Sequence, residues 1–501
     1  MDTGGYLAAM RARDARFDGV FFVGVTTTGV YCRPVCPART PGADRVRFYP
    51  SAALAERDGF RACLRCRPEL APGNELCGPR APVDAIPALA RAAARRIDAG
   101  YLNDHSVEQL ADRLGVTDRH LRRALEAQLG ASPLELAQTR RLALAKQLLH
   151  DSRLGLAEIA FAAGFASVRR FNDAFRARFG RPPSALRKDV PRADEPGDAI
   201  ALRLDTRPPF DWARLCAFLA ARAIPGVEQV DGACYRRGVV VDGVAGWLEA
   251  RSATGRPAAV QLRVATSLAP KLMAVLARVR ALFDLDAHPA AIAAQLGADR
   301  RLAASVKAHP GLRVPGAFDG WELALRAILG QQIAVSAATT LAGRLVARLG
   351  EPNPAAPAGL DRVVPSPARI VDAGVAAVAA IGLPQARART IVALAAAMRA
   401  PVSLGPRGPS LDGRRGAIEL SGGGDPDATI AALCALPGIG PWTASYIAMR
   451  ALAWPDAFLG GDLVVRRALG VTTARAAEER AARWRPWRAY AVLHLWTGAT
   501  P

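Results

Sequence analysis

The sequence predicts a multidomain chain. Its parts are a small α+β domain built on four cysteines, an all-α domain with two helix-turn-helix units, an α+β sheet domain, and an all-α domain carrying a glycine-turn helical hairpin. Three observations predict this. The 501 residues exceed what one core supports and call for three or four domains. Four of the eight cysteines fall in two close pairs near the N-terminus. A capped helix, a glycine turn and a second capped helix occur twice between residues 80 and 188, and strand-like stretches flanked by helical patterns follow within residues 195–308.

Composition narrows the partners. Half of the residues are hydrophobic, so the chain is globular, and a formal charge of +21 with a pI near 10.7 points to a polyanion, nucleic acid above all. The excess is almost all arginine, since only Lys146, Lys188, Lys271 and Lys307 are lysines. The opening stretch MDTGGYLAAMRARD lacks a signal-like apolar region and no apolar run reaches spanning length. A cytoplasmic protein with no membrane partner is expected, and paired cysteines in a reducing cytosol suit a metal site better than disulfides.

Cys32 and Cys36 form a CxxxC pair, Cys63 and Cys66 a CxxC pair, with 26 residues between them. Two such pairs close one tetrahedral four-thiolate zinc site. The spacing alone fits a purely structural zinc. The surrounding residues go further: Phe21-Phe22-Val23-Gly24-Val25-Thr26-Thr27-Thr28-Gly29-Val30-Tyr31-Cys32-Arg33-Pro34-Val35-Cys36, then Val46-Arg47-Phe48-Tyr49-Pro50 and Gly59-Phe60-Arg61-Ala62-Cys63. They resemble the N-terminal domain of Ada-type alkylation-response proteins. The resemblance implies that Cys32 takes a methyl group from a DNA methylphosphotriester, while Cys36, Cys63 and Cys66 remain zinc ligands. Zinc keeps a thiolate deprotonated and nucleophilic at neutral pH. Methylation would turn one thiolate into a neutral thioether, remove a negative charge and raise DNA affinity. Cys77, in the linker, reads as a bystander.

In the second domain, Ser106 to Thr117 reads as a capped helix, a glycine turn and the cap of a helix carrying Arg119, Arg122 and Arg123. A second copy runs through Ile159-Ala160, Gly164-Phe165 and Ser167 to Arg169 and Arg170. Phe171, Phe175 and Phe179 recur every four residues and are expected in the core. This run, ending Phe179-Gly180-Arg181-Pro182-Pro183-Ser184-Ala185-Leu186-Arg187, resembles the AraC-type DNA-binding domain. Arg119, Arg122, Arg169 and Arg170 are then candidate contacts in two successive major-groove turns.

A Pro-bearing linker over 190–198 precedes strands expected at Ala199–Leu204, Tyr235–Val241 and Val260–Thr266, with helices at Trp212–Ala223 and Leu268–Phe283. No catalytic grouping occurs there, and Cys216 and Cys234 read as structural. The region resembles the sheet domain that precedes the catalytic core in AlkA-type glycosylases.

The final domain opens at His309 and contains Arg326-Ala327-Ile328-Leu329-Gly330-Gln331-Gln332, with a long loop near Pro401–Pro426. It turns on Leu436-Pro437-Gly438-Ile439-Gly440-Pro441-Trp442-Thr443-Ala444, followed by Phe458-Leu459-Gly460-Gly461-Asp462. A glycine turn restarting a helix leaves backbone N–H groups free for an anion, and glycine lets a phosphate approach closely. The glycines alone fit an ordinary helical hairpin equally well. With Asp462 the pattern resembles the helix-hairpin-helix DNA glycosylases, in the AlkA-like branch, DNA-3-methyladenine glycosylase II. That resemblance implies phosphate contacts at Gly438, Gly440 and Thr443, a base pocket walled by Trp442, Tyr446 and Trp496, and Asp462 stabilising an oxocarbenium-like sugar or orienting water after base flipping. An aromatic face attracts a cationic N-alkylated purine by roughly 0.5–2 kcal/mol per contact. Trp484 and Trp487 are expected in the core, and Asp425, Asp427 and Asp456 in loops and caps.

Further details qualify that chemistry. Trp442 stands where lyase-competent relatives carry lysine, and no lysine follows Lys307, so a monofunctional glycosylase is expected. Cys434 is the domain's single cysteine, which excludes a four-thiolate iron–sulfur cluster there. Gln332 occupies the position of an apolar wedge, and Thr497 follows Trp496 where the family can carry a tyrosine. No cysteine is followed by histidine, so the Pro-Cys-His-Arg site of the second Ada methyltransferase domain is absent. The expected whole is an alkylation-responsive transcription activator fused to a glycosylase, divided at 1–72, 80–188, 195–308 and 309–501. Double-stranded DNA, both alkylated and promoter, and RNA polymerase are its expected partners, and a monomer is expected. The alternative is a methyl-responsive regulator whose C-terminal half binds damage without catalysis.

Overall fold

The computed structural model describes residues 3–73, 85–187, 199–253, 258–399, 418–420 and 425–498. Cys77, the expected linker 190–198 and most of the Pro401–Pro426 loop lie outside the described residues. The chain clusters into two units. One comprises Met1–Pro208, Val241–Val244 and Ala250–Ala277, the other Pro209–Val240, Ala245–Glu249 and Arg278–Pro501. The division runs inside the expected sheet domain.

In the first unit, β1 (Phe22–Val25), β2 (Val30–Cys32), β3 (Val46–Tyr49) and β4 (Arg61–Ala62) form a sheet in the order β3-β1-β2-β4. β1 pairs antiparallel with β2 and β3, whereas β2 pairs parallel with β4, Val30 opposite Arg61 and Tyr31 opposite Ala62. That parallel register carries the positional logic of the domain. β2 ends on Cys32 and β4 runs into Cys63, so two strands leaving the sheet side by side deliver both cysteine pairs to one edge.

The helical segment follows the expected caps. Ser106 and Gln109 form a capping box at α1 (Val107–Arg113), Gly115 turns at φ +69°, and Thr117 accepts from the His120 N–H at the start of α2 (Asp118–Leu129). A helix of 19 residues, α3 (Pro133–Asp151), leads to α4 (Leu156–Ala162) and to α5 (Val168–Phe179), capped by Ser167. Phe171, Phe175 and Phe179 are buried with successive ring centroids 5.6 and 4.4 Å apart, a core stack as expected. β5 (Ala199–Asp205) pairs antiparallel with β9 (Ala259–Ala265), from Ala199 opposite Ala265 to Asp205 opposite Ala259.

In the second unit β6 (Glu228–Asp231) pairs antiparallel with β7 (Cys234–Val241). β5, β7 and β9 match expected strands. β6 and β8 (Val244–Ser252) were not expected, since Val230 is the single hydrophobic residue of β6 and β8 carries Gly246 and charged residues that break alternation. Pro270 donates no N–H, so the helix expected from Leu268 is α-helical only over Leu272–Leu282. The helical core packs α6 (Gly320–Leu329), α7 (Val335–Leu349), α8 (Gln385–Arg399), α9 (Pro426–Cys434) and α10 (Pro441–Ala451) through residues such as Ile328, Leu345, Ile391, Leu433 and Ile447. Later helices include α11 (Leu463–Leu469) and α12 (Arg488–Gly498). Asp456 lies in a turn, as expected of a loop acid, but it is also buried and accepts from Arg488 Nε at 2.7 Å and Arg485 Nη1 at 2.6 Å. Among the described residues no helix is long and apolar enough to cross a membrane.

The cysteine loop of the first unit is held by charges from distant segments. Arg33, 3% exposed, pairs with Asp18 through Nε at 2.8 Å and with Asp205 of β5 through Nη1 at 2.8 Å. Burial opposes its charge, but Asp18 and Asp205 outweigh that and hold the guanidinium above its ordinary pKa. Arg207 donates to the Asp18 carbonyl at 2.9 Å and to the Gly73 carbonyl at 2.8 Å. Lys146 of α3, fully buried, donates to Glu69 at 2.7 Å and to the Cys63 carbonyl at 3.1 Å. Glu56 accepts from Tyr31 at 3.0 Å and from Thr139 of α3 at 2.6 Å, and it pairs with Arg178 of α5 at 2.9 Å. These contacts explain why β5 clusters with the N-terminal part of the chain. Removing one member strands its buried partners. Arg33→Leu is expected to lower the unfolding free energy of the first unit by ~3–5 kcal/mol. Urea midpoints compared with Arg16→Ala, which removes an exposed pair with Asp14 and should shift little, check this.

Candidate metal centre and aromatic pocket

The sulfur atoms of Cys32, Cys36, Cys63 and Cys66 lie within 4.8 Å of one another. A tetrahedral zinc at about 2.3 Å from each sulfur sets them about 3.8 Å apart, so small side-chain shifts close the site. The donor set is chemically uniform. Backbone N–H groups of Arg33 and Arg65 donate to Cys66 Sγ and Cys63 Sγ, each at 3.4 Å, as expected of groups stabilising thiolate. Mutual hydrogen bonding splits the thiols. Bonding with Cys32 draws Cys36 down to about 7 and pulls Cys63 well below the usual thiol range, while Cys32 is pushed up, first by its bond to Cys36. The quartet therefore fits a metal that replaces the shared protons.

In the second unit the Pro-Gly-Ile-Gly turn joins α9 to α10. Its two glycines differ. Gly438 has φ +85°, and a Cβ there would lie 2.1 Å from Thr390 Oγ1, so conformation and packing both require glycine. Gly440 caps α10 at φ −90°, and a Cβ there would meet nothing within 4 Å. The fold leaves the space beside Gly440 open. Pro441 offers no N–H, and Trp442 and Thr443 follow at the start of α10, where backbone N–H groups lack intrahelical partners. The Thr443 side chain is buried, its Oγ1 accepting from Gln331 Nε2 at 3.2 Å. The Thr443 hydroxyl is therefore turned away from solvent, and its backbone N–H is the group left for an anion.

Asp462 is the N-cap of α11. Its Oδ1 accepts from the Val465 N–H at 3.0 Å and from Trp496 Nε1 at 3.2 Å, and its Oδ2 accepts from Trp442 Nε1 at 3.1 Å. One residue thus caps a helix and accepts from two indoles at once. The Trp442 and Tyr446 rings are parallel within 5° at 5.3 Å, one turn apart on α10, and form a continuous wall. Trp484 and Trp487 are buried, as expected for core.

Behind the wall lies a group that sequence reasoning missed. Arg450 donates to the Tyr446 hydroxyl at 2.7 Å, and its guanidinium sits 4.9 Å from the Phe218 ring, which Arg222 also covers at 3.7 Å. Burial alone would raise the Tyr446 pKa, but Arg450, Arg222 and Arg326 together hold it below the ordinary value. The spacing Trp442, Tyr446, Arg450 puts these on one helix face and was available as a signal. Nothing in the sequence pointed to Phe218 or Arg222. Gln332 is exposed at φ +58° in the turn between α6 and α7. Arg119, Arg123, Arg169 and Arg170 are exposed on α2 and α5, while Arg122 is half-buried and lies 3.5 Å from Asp118.

Comparison with known proteins assigns these parts. Family models match the metal binding domain of Ada over residues 6–69, a helix-turn-helix domain over 110–189, the AlkA N-terminal domain over 201–319, and the HhH-GPD superfamily of base excision DNA repair proteins over 325–487. A Mycobacterium tuberculosis protein named "Probable bifunctional transcriptional activator/DNA repair enzyme AlkA" is 42% identical, the match covering 98% of this chain and 95% of that one. DNA-3-methyladenine glycosylase 2 of Escherichia coli is 34% identical, covering 58% of this chain and 95% of its own. A 3-methyladenine DNA glycosylase structure from Archaeoglobus fulgidus aligns at 22% identity and a TM-score of 0.49 over 59% of this chain and 97% of its own. The chain belongs to the family of bifunctional AlkA-type transcriptional activator and DNA repair enzymes.

Proposed function

We propose that this chain excises N-alkylated bases from DNA by hydrolysing the N-glycosidic bond, and that its N-terminal part senses methylphosphotriesters and activates transcription. Asp462, held by Trp442 and Trp496 beside an aromatic wall and near a glycine turn, is the observation that carries the reading. The proposed domain limits are 1–72, 80–188, 195–308 and 309–501.

In the proposed excision step the damaged nucleotide leaves the stack and its base lies against Trp442 and Tyr446, with Trp496 on the other side of the acid. The C1′–N bond breaks and the base departs with the bonding electrons, which the positive charge of an N-alkylated purine favours. The Asp462 carboxylate faces the electron-poor C1′, water adds there, and the carboxylate accepts the proton. Trp442 takes the place of a lysine and Cys434 is the single cysteine after Cys234, so neither a Schiff base nor an iron–sulfur cluster enters the proposal. Phosphates flanking the lesion would meet the free N–H groups at the start of α10.

For the sensor, zinc on Cys32, Cys36, Cys63 and Cys66 would keep the sulfurs as thiolates. Cys32 then attacks the methyl carbon of a phosphotriester, a C–S bond forms, the C–O bond breaks, and the electron pair stays with the phosphodiester. Arg119, Arg122, Arg169 and Arg170 would read promoter DNA. The linking helix α3 is roughly 28 Å long, close to one turn of duplex. Recruitment of RNA polymerase and action as a monomer complete the proposal.

Three measurements check it. Wild type should release 3-methyladenine from methylated duplex DNA, with Asp462→Asn slower by at least about 100-fold; no release from either would leave a methyl-responsive regulator. Mass spectrometry of the full chain after exposure to methylated DNA should show one added methyl group on Cys32, lost in Cys32→Ser. Gly440→Val should leave the thermal midpoint near that of wild type yet weaken duplex binding about tenfold, whereas Gly438→Val should lower the midpoint through its clash with Thr390.

A further inference from the structure

The turn between α6 and α7, Gly330-Gln331-Gln332-Ile333-Ala334, carries the exposed Gln332. Its ends are bonded to the helices, Gly330 N–H to the Arg326 carbonyl at 2.9 Å and the Ala334 carbonyl to the Ala338 N–H at 3.0 Å, but the bonds at its middle are long, Gln331 N–H to the Ile328 carbonyl at 3.3 Å and Ile333 N–H to the Gly330 carbonyl at 3.5 Å. The middle is held by a side chain. The Gln331 amide donates one hydrogen to the Gly438 carbonyl at 2.9 Å and the other to Thr443 Oγ1 at 3.2 Å. A carbonyl only accepts, so the NH2 end must face the hairpin, and both of its hydrogens are used there. Among the described residues, no other side chain of this turn bonds to the hairpin.

The far side of the hairpin is pinned as well. Thr390 of α8 donates from Oγ1 to the Pro437 carbonyl at 2.9 Å. Thr443 adjoins Trp442, whose indole N–H reaches Asp462. One chain of contacts therefore runs from the tip at Gln332, through Gln331 to Gly438 and Thr443, and on through Trp442 to Asp462.

We infer that Gln331 is a positioning residue for base excision. It locks the turn that probes the stack at Gln332 to the hairpin that holds the phosphate and orients the pocket wall, so insertion and capture occur at one fixed separation. The inference rests on the proposed excision activity. A glutamine tip at φ +58° lacks the apolar bulk that usually holds a gap open, which makes its placement more demanding. Without the tether the tip can retreat while pocket and acid stay intact. Duplex substrates, which require the stack to open, would suffer; a lesion already unpaired would not.

The test uses the full chain with Gln331→Met, which keeps length but donates nothing, and Gln331→Glu, which sets a carboxylate against the Gly438 carbonyl. Single-turnover release is measured from a duplex with one N-alkylated purine opposite its normal partner, and from the same strand opposite an abasic-site analogue. Both variants should lose at least tenfold on the first substrate, remain within threefold of wild type on the second, and keep the wild-type thermal midpoint. Equal losses on the two substrates, or no loss on the first, would overturn the inference. Flipping is read separately by 2-aminopurine fluorescence in an unreacted duplex, where the variants should give less than half the wild-type rise; an undiminished rise also overturns it. A wild type that raises this fluorescence but releases no base would sink the excision reading and with it the excision role of Gln331, whereas release by wild type with an undiminished rise in the variants sinks the inference alone.

Discussion

The carboxylate of Asp462 is held by N–H groups from three segments, Trp442 on α10, Val465 on α11 and Trp496 on α12. Each donor removes one way for the side chain to turn. Two are indoles of the proposed pocket wall, so the acid and the aromatic surface are tied together. The cap to Val465 adds helix stabilisation, worth typically ~1 kcal/mol, to the same geometry. An acid fixed this way needs little reorganisation when positive charge develops beside it, the condition under which a preorganised group is most effective.

The cysteine quartet depends on a similar arrangement built from different chemistry. Arg33, between two of the cysteines, is clamped by Asp18 and by Asp205 of β5, and Lys146 of α3 holds the carbonyl of Cys63. Buried charges such as these are costly unless every partner is present. The loop conformation is thus tied to Lys146 and Asp205, 83 and 172 positions from the residues they hold. Asp205 belongs by sequence to the region matched by the AlkA N-terminal domain, yet its carboxylate completes the shell around the Ada-type cysteines. The cysteine domain and β5 share a buried ion pair instead of meeting only through a linker.

Much of this was legible from local patterns. Cysteine spacing, the helix cap at Ser106, and the four-residue recurrence of Phe171, Phe175 and Phe179 are short-range signals, and the structure reproduces them. The hairpin turn was legible for the same reason, since Gly438 and Pro441 constrain the backbone where they stand. The misses involve partners far apart in the chain. The ion pair of Asp456 went unread because its arginines lie 29 and 32 positions on, and β6 and β8 read as irregular because their pairing with other strands outweighs weak propensity. Phe218 and Arg222 lie more than 200 positions before the tyrosine they support.

The sequence by itself determined the four families of local structure, the thiolate donor set, and which acid and which aromatic residues were available, because spacing and chemistry are properties of a short stretch. Only the tertiary structure decided how those groups are aimed. It made Asp462 a cap and an indole acceptor at once, turned the Thr443 hydroxyl inward to Gln331, and distinguished a Gly438 that packing demands from a Gly440 beside open space. Orientation depends on contacts between segments that the chain brings together only on folding, and no local pattern records them.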